Sequence, residues 1–453
     1  MANHPRRFNR FLAYSGPALM VAVGYMDPGN WATDLEGGAR FGYQLLWVLL
    51  LSNFTAFLLQ TLCARLGAVT GKDLAQVCRD AYPQYAVYGL WVLAEFAIIA
   101  CDLAEVLGTA IAINLLFKIS LVWCVVITGL DVLLILALQH YGMRKLEAII
   151  LALVLTVGIC FIIELALVKP DWLGVSKGFV PTLDLQSLYV AIGILGATVM
   201  PHNLYLHSAL VKTRRKGTTH EAIREAIRYN FLDTALSLNL AFLINAAILI
   251  VAAAVFFTRG ITVNELGQAQ KLLSPLLGTN LASLAFVIAL LCAGLSSTIT
   301  GTLAGQVVME GFLRLKMNPV PRRLLTRSLA IIPALVAIIL FGDKSSFRLL
   351  ILSQVVLSMQ LPFAIIPLVR FTGNRAVMGV FANRQSVTIA AWVIAVVIII
   401  LNIWLIVLSL GGGASKVMGY LASVAALLGL LCLWLLLWIT FTPIKLHGLI
   451  EKE

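Results

Sequence analysis

An all-α polytopic membrane protein is the fold class this sequence predicts, on three observations. Hydrophobic residues make up 60% of its 453 positions. Charged residues make up 12%, about half the share of a soluble domain. Apolar runs of bilayer length recur along the chain, and mean hydropathy is +0.96. These figures exclude a soluble enzyme, a disordered chain and a coiled coil.

The apolar runs fall at 12–40, 43–68, 87–117, 119–138, 146–168, 187–211, 229–257, 282–312, 325–342, 347–369, 386–410 and 417–441. A spanning helix needs roughly 20 such residues, so the runs predict about twelve transmembrane helices. With the N-terminus in the cytoplasm, 24 of the 33 Lys and Arg face that side and nine face the other. That asymmetry is what the positive-inside rule requires of twelve spans with both termini inside. The expected organisation is a cytoplasmic N-terminus over 1–11, five helices over 12–168, five more over 187–370, two extra helices over 386–441, and a cytoplasmic C-terminus over 442–453. The compact ends and short loops fit a cell inner (plasma) membrane. No small-residue cleavage site follows the first run, so it reads as a retained span rather than a signal peptide.

The net charge of +12 is distributed loop by loop. Its densest cluster, Lys212, Arg214, Arg215 and Lys216, sits where a topology determinant belongs, so the charge marks orientation and not a nucleic-acid face. The seven cysteines are scattered and form no CxxC pair. They predict neither a disulfide framework nor a thiolate metal site, and read as small buried hydrophobes.

This assignment leaves no Lys or Arg at mid-membrane, but it leaves acids there: Asp27, Glu95, Asp102, Glu105, Asp131, Glu164 and Asp233, with Asp34, Glu36 and Glu310 nearer span ends. A charge at a helix centre costs about 2.5–3.5 kcal/mol on insertion scales, so such residues face a cavity, a partner or an ion path. A cation pathway is the natural reading of the set.

Two spans are also interrupted. The first reads GYMDPGNWATD and the sixth GATVMPHNLYLH. Proline removes a backbone donor and clashes with the preceding turn, so each helix should unwind at its proline. Unwound backbone at membrane depth is tolerated where it lines a cavity or is buried in protein. The breaks lie five spans apart, and an odd number of spans per half inverts the second half. Paired interruptions of this kind point to the midplane site of a secondary transporter.

The side chains at the breaks narrow the substrate. Asp27 offers a carboxylate and Asn30 an amide oxygen, both hard donors, while Met200 offers a soft thioether three residues after Ala197. Oxygen alone suits magnesium or calcium; adding sulfur biases the site toward transition metals. In span 3, Glu95, Asp102 and Glu105 are spaced seven and three apart and share a helical face. A row of carboxylates in low dielectric can serve as a proton relay. His202 beside the site can also take up a proton, whereas His207 projects from another face. Arg327, where span 9 begins, can pair with these acids or anchor the interface. The hydroxyls of span 8 read as close packing, and Gln354 in span 10 as a cavity liner.

These motifs resemble the Nramp family, the natural resistance-associated macrophage proteins, which carry divalent transition metals with protons. The resemblance extends from about Ser15 to Arg370 and includes AVTGKDLAQV, CDLAEVLGTAIAINLLF and SQVVLSMQLPF, besides the DPGN and MPHN segments. It implies the leucine-transporter fold, two inverted five-helix repeats plus two C-terminal helices, and alternating access. The implied metal ligands are Asp27, Asn30, the Ala197 carbonyl and Met200, with Gln354 joining in an occluded state. The implied proton route runs from Asp27 or His202 to Asp102 and Glu105, with Glu95 on the same helix and Arg327 at the exit. Manganese and ferrous iron are the substrates the resemblance implies, in a bacterial, monomeric type of transporter with no cofactor beyond the metal it carries. The sequence holds no cofactor motif and no nucleophile–base pair, so no enzyme is expected. A sodium- or proton-coupled amino-acid symporter on the same fold is the alternative, and it would not need Asp27, Asn30 and Met200 together.

Overall fold

The structure is a computed structural model and describes residues 7–131, 137, 142–182, 184–214, 217–263, 265–315, 318–343, 345–410, 429 and 431–443. Among the described residues the chain forms helices and short 3-10 turns and no strand. In order these helices are α1 (Arg7–Tyr14), α2 (Pro17–Gly24), α3 (Pro28–Phe41), α4 (Leu46–Thr70), α5 (Leu74–Ala81), α6 (Gln84–Phe117), α7 (Leu121–Thr128), α8 (Met143–Val168), α9 (Trp172–Lys177), α10 (Leu185–Thr198), α11 (Pro201–Thr213), α12 (His220–Val255), α13 (Leu266–Leu277), α14 (Asn280–Leu313), α15 (Pro319–Phe341), α16 (Ser345–Gly373), α17 (Arg375–Met378) and α18 (Gln385–Leu410).

Nine helical stretches among the described residues are long and apolar enough to cross a bilayer, with 28–70 counted as one. The difference from twelve has local causes. The break at Asp27 leaves α2 only eight residues long, and α3 runs through a 3-10 turn at Gly42–Leu45 into α4. The fourth predicted span is described chiefly over Leu121–Thr128, and most of 417–441 lies outside the described residues, where only the short apolar helix Leu431–Phe441 is seen. Large apolar side chains such as Phe96, Ile162, Ile339 and Phe341 are exposed while polar ones are buried. This inverts the pattern of a soluble protein and presents hydrocarbon to lipid.

The broken helices sit inside the bundle. The two halves of the first, α2 and α3, pack on α12, and α3 also meets α10 and α6. In the second break, α10 packs on α16 and α11 on α4 and α14. Small residues permit these approaches: at Gly196 of α10 the backbone of Gln354 and the Cβ of Ser358 on α16 leave no space for a side chain. The span 8 hydroxyls Ser297, Thr298, Thr300 and Thr302 all donate to carbonyls of their own helix, as a packing role requires.

Asp233, expected on a cation path, does something else. Its carboxylate accepts from the backbone N–H of Gly16 (3.1 Å) and Ala18 (3.0 Å), capping the start of α2. Arg144 holds the adjoining carbonyls of Leu12, Ala13 and Ser15, and Glu147 bridges Arg144 and Arg214.

Candidate metal site

The first break forms as its sequence requires. After α2 the backbone tightens into i→i+3 bonds, Tyr25 N–H to Ala22 at 3.1 Å and Met26 N–H to Val23 at 3.0 Å. Asp27 is extended (ψ 166°), and Pro28 opens α3, where its missing N–H costs nothing. The second break repeats this device: α10 stops at Thr198, Met200 is extended (φ −80°, ψ 125°), and Pro201 opens α11.

The two breaks face each other. The Asn30 amide nitrogen lies 2.7 Å from Asp27 Oδ1, 3.2 Å from the Gly24 carbonyl and 3.1 Å from the Ala197 carbonyl. Asp27 Oδ1 also accepts the Asn30 backbone N–H at 2.8 Å, which locks the carboxylate at the helix start. Met200 Sδ closes one side, 3.3 Å from where a Cβ on Gly24 would stand. Gln354 packs against Gly29, so a side chain there would collide with its amide. Asp27, Asn30, Ala197, Met200 and Gln354 are all buried. Asp27 Oδ2, Asn30 Oδ1 and Gln354 Oε1 have no hydrogen-bond partner among the described residues.

One carboxylate, two backbone carbonyls and an amide therefore converge, with the Met200 thioether beside Gly24. The partly positive NH2 of Asn30 stands among three oxygens, where a cation would be held. Turning that amide about its last bond presents Oδ1 instead, a choice that side-chain shape alone does not decide. No three His, Cys, Asp or Glu side chains converge on a chelating point among the described residues, so a cation held here would need carbonyl and thioether donors.

The acids of α6 sit beside it. Arg323 of α15 binds Asp102 through both carboxylate oxygens, at 2.8 and 3.0 Å, and stands 3.7 Å from Glu105. Arg327 lies 3.5 Å from Glu105, 4.0 Å from Asp102, and pairs with Asp131. Glu95 is a separate station, 3.8 Å from Arg322 and accepting from Trp91 Nε1 at 3.0 Å. Arg322, Arg323 and Arg327, near the start of α15, are all buried against the α6 acids. Arg327 stands against these acids as expected, and Arg323 joins it, its Nη1 donating to both oxygens of Asp102. A buried carboxylate row needs this compensation, because uncompensated charge in low dielectric is costly. His202 approaches the row through Cys101, its Nε2 3.7 Å from the thiol sulfur. His207 instead bonds Gln60 at 2.8 Å, and Gln60 bonds the Tyr25 hydroxyl at 2.7 Å.

Comparison with known proteins places the chain. The family model described as natural resistance-associated macrophage protein-like matches residues 18–408. The chain belongs to the Nramp family. Among its relatives is a divalent metal cation transporter MntH of Nostoc sp., 56% identical over 415 residues, covering 90% of this chain and 94% of that one. The MntH of Brucella suis is 55% identical, covering 88% and 89%. Among solved structures, mutants of the manganese transporter of Eremococcus coleocola superpose with a TM-score of 0.89 at 36% identity, covering 97% of this chain and 96% of that one.

The Nramp chain accordingly has the leucine-transporter fold, is a multi-pass membrane protein, and is a transporter rather than an enzyme. The DPGN and MPHN segments stand out in the sequence, whereas other contacts seen here leave little trace in it. The Gly24 carbonyl carries no side-chain signal. Asp131 stood among the membrane acids, but the Arg323–Asp102 and Arg327–Asp131 pairs join residues 221 and 196 positions apart.

Proposed function

We propose that this Nramp protein imports divalent transition-metal ions, manganese and ferrous iron above all, together with protons. The observation that carries the reading is the convergence of Asp27, Asn30, the Ala197 carbonyl and Met200 where two broken helices meet. Oxygen donors with one formal charge admit a divalent ion, and the thioether favours transition metals over calcium. Gln354, against the first turn of α3, completes the shell as the site closes. The relatives named as divalent metal cation transporters support the same substrate class. An amino-acid symporter on this fold would have no use for a buried thioether beside a carboxylate.

In this reading the inverted halves, 12–168 and 187–370, rock about the site and expose it to each side in turn. Metal entry releases a proton from Asp27 or His202, which passes to Asp102 and Glu105. Arg323 and Arg327 hold those carboxylates, and Arg322 with Glu95 offers the next step toward the cytoplasm. The protein works as a monomer in the plasma membrane with both termini cytoplasmic.

The test is manganese uptake into proteoliposomes carrying an internal pH dye, for the wild type and Asp27→Ala. Manganese entry with internal acidification is expected, and loss of both in the variant. Entry without acidification would overturn proton coupling, and substantial flux through Asp27→Ala would overturn the ligand assignment.

A further inference from the structure

We infer that Cys101 is a further metal-binding residue, joining Met200 and His202 in a soft-donor position that holds thiophilic divalent cations such as Cd2+ or Zn2+. The inference rests on the metal site proposed above and adds a determinant of its selectivity. Cys101 stands on α6 one residue before Asp102. It is buried and packs directly with Met200, Ala97 and Leu357. Its sulfur lies 3.7 Å from His202 Nε2 and points its thiol at Glu105 Oε1, 3.6 Å away. His202 is itself buried, and its Nδ1 has no hydrogen-bond partner among the described residues.

The spacing has the dimensions of a metal bridge. Metal–sulfur and metal–nitrogen bonds of about 2.3 and 2.0–2.1 Å at a tetrahedral angle put the two ligand atoms about 3.6 Å apart. The observed separation is 3.7 Å. His, Cys, Asp and Glu side chains by themselves make no chelating trio among the described residues; the third donor in this inference is the thioether of Met200, which shares a buried cluster with Cys101. The S–H bond is replaced by a metal–sulfur bond, and the proton passes to Glu105 Oε1, the atom the thiol already faces.

Two sulfurs and an imidazole form a softer donor set than Asp27, Asn30 and two carbonyls. By hard–soft matching a thiophilic ion settles toward Cys101 while manganese stays with the oxygens. Three other cysteines lie in different settings. Cys124 donates to the Ile119 carbonyl, and Cys63 and Cys78 lie in apolar core.

The test titrates purified protein with Cd2+ and follows the thiolate-to-cadmium charge-transfer absorption, for the wild type, Cys101→Ser and Cys101→Ala. The wild type should develop the band at one equivalent and both variants should lack it. Competition of Cd2+ against manganese uptake should weaken roughly tenfold or more in the variants, the lower end of what losing a supporting group costs a metal site. An undiminished band, or an unchanged cadmium-to-manganese ratio, would overturn the inference. Cadmium-edge X-ray absorption on the wild type needs no variant: a shell containing sulfur with nitrogen is expected, and oxygen with a single sulfur would overturn it. Wild-type manganese uptake, measured in parallel, reports separately on the transport reading.

Discussion

Gly196→Ala adds one methyl group at the contact that sets the distance between the second break and α16. A Cβ there would stand 2.6 Å from the Gln354 carbonyl oxygen and 2.6 Å from the Ser358 Cβ. Neither can swing away, because one is backbone and the other is the first atom of its side chain. The helices must part by about 0.8 Å to reach the 3.4 Å at which ordinary contact begins. Gly196 directly precedes Ala197, whose carbonyl faces Asn30, and the displaced carbonyl belongs to Gln354 itself. Overpacking of this size costs about 1–3 kcal/mol, which a folded protein can absorb. The site tolerates it less well, since a misplacement near 1 Å can cost on the order of a hundredfold where several groups must converge. We expect Gly196→Ala to remain folded by thermal melting while its manganese Kd, measured by calorimetry, rises roughly ten- to a hundredfold. Gly158→Ala is the control: its Cβ meets only Ile244 Cδ1 at 3.9 Å, and binding should be unaltered. A folded Gly196→Ala protein that binds manganese within about twofold of the wild type would refute the idea that α10–α16 packing positions the ligands.

Three further outcomes follow from the same geometry. Met200→Ala removes the site's thioether and should lose discrimination for manganese over calcium while retaining calcium-level affinity, read by competition binding. Preserved discrimination would move selectivity elsewhere in the site. Arg323→Ala strips Asp102 of its bidentate partner and leaves Arg327 at 4.0 Å, so it should destabilise the protein by about 3–5 kcal/mol. Asp102→Asn should slow proton movement more than it weakens manganese binding; an unchanged melting temperature for Arg323→Ala, or intact proton flux for Asp102→Asn, would show that the pair does not work as described.

Much of the site was legible because its signals are local. Proline at the first position of α3 and α11 dictates where each helix breaks, and the residues just before it become the extended cap whatever surrounds them. Asp27 and Asn30 are three apart, so a single turn brings them together. The acids of α6 were legible for the same reason, being spaced along one helix face. The arginines were not. Hydropathy averages over a window, and Arg322, Arg323 and Arg327 lie near the start of α15, so sequence alone left Arg327 between an interfacial anchor and a partner of the acids, and all three are buried against α6. Asp233 read as a path residue for an equivalent reason, because its partners Gly16 and Ala18 precede it by more than 200 positions.

By itself, then, the sequence determined that the chain is a bundle of membrane helices, that two of them break, and which side chains stand at the breaks. Those properties follow from residue hydrophobicity and from covalent restrictions within a few bonds. Only the tertiary structure decided what meets what: that the Ala197 carbonyl reaches Asn30, that Arg323 approaches Asp102 more closely than Arg327 does, and that Cys101 lies between His202 and Glu105. Such pairings cross from one helix to another. They are set by the rotation and depth at which small residues such as Gly196 allow the helices to pack, and no periodicity along a single helix records that.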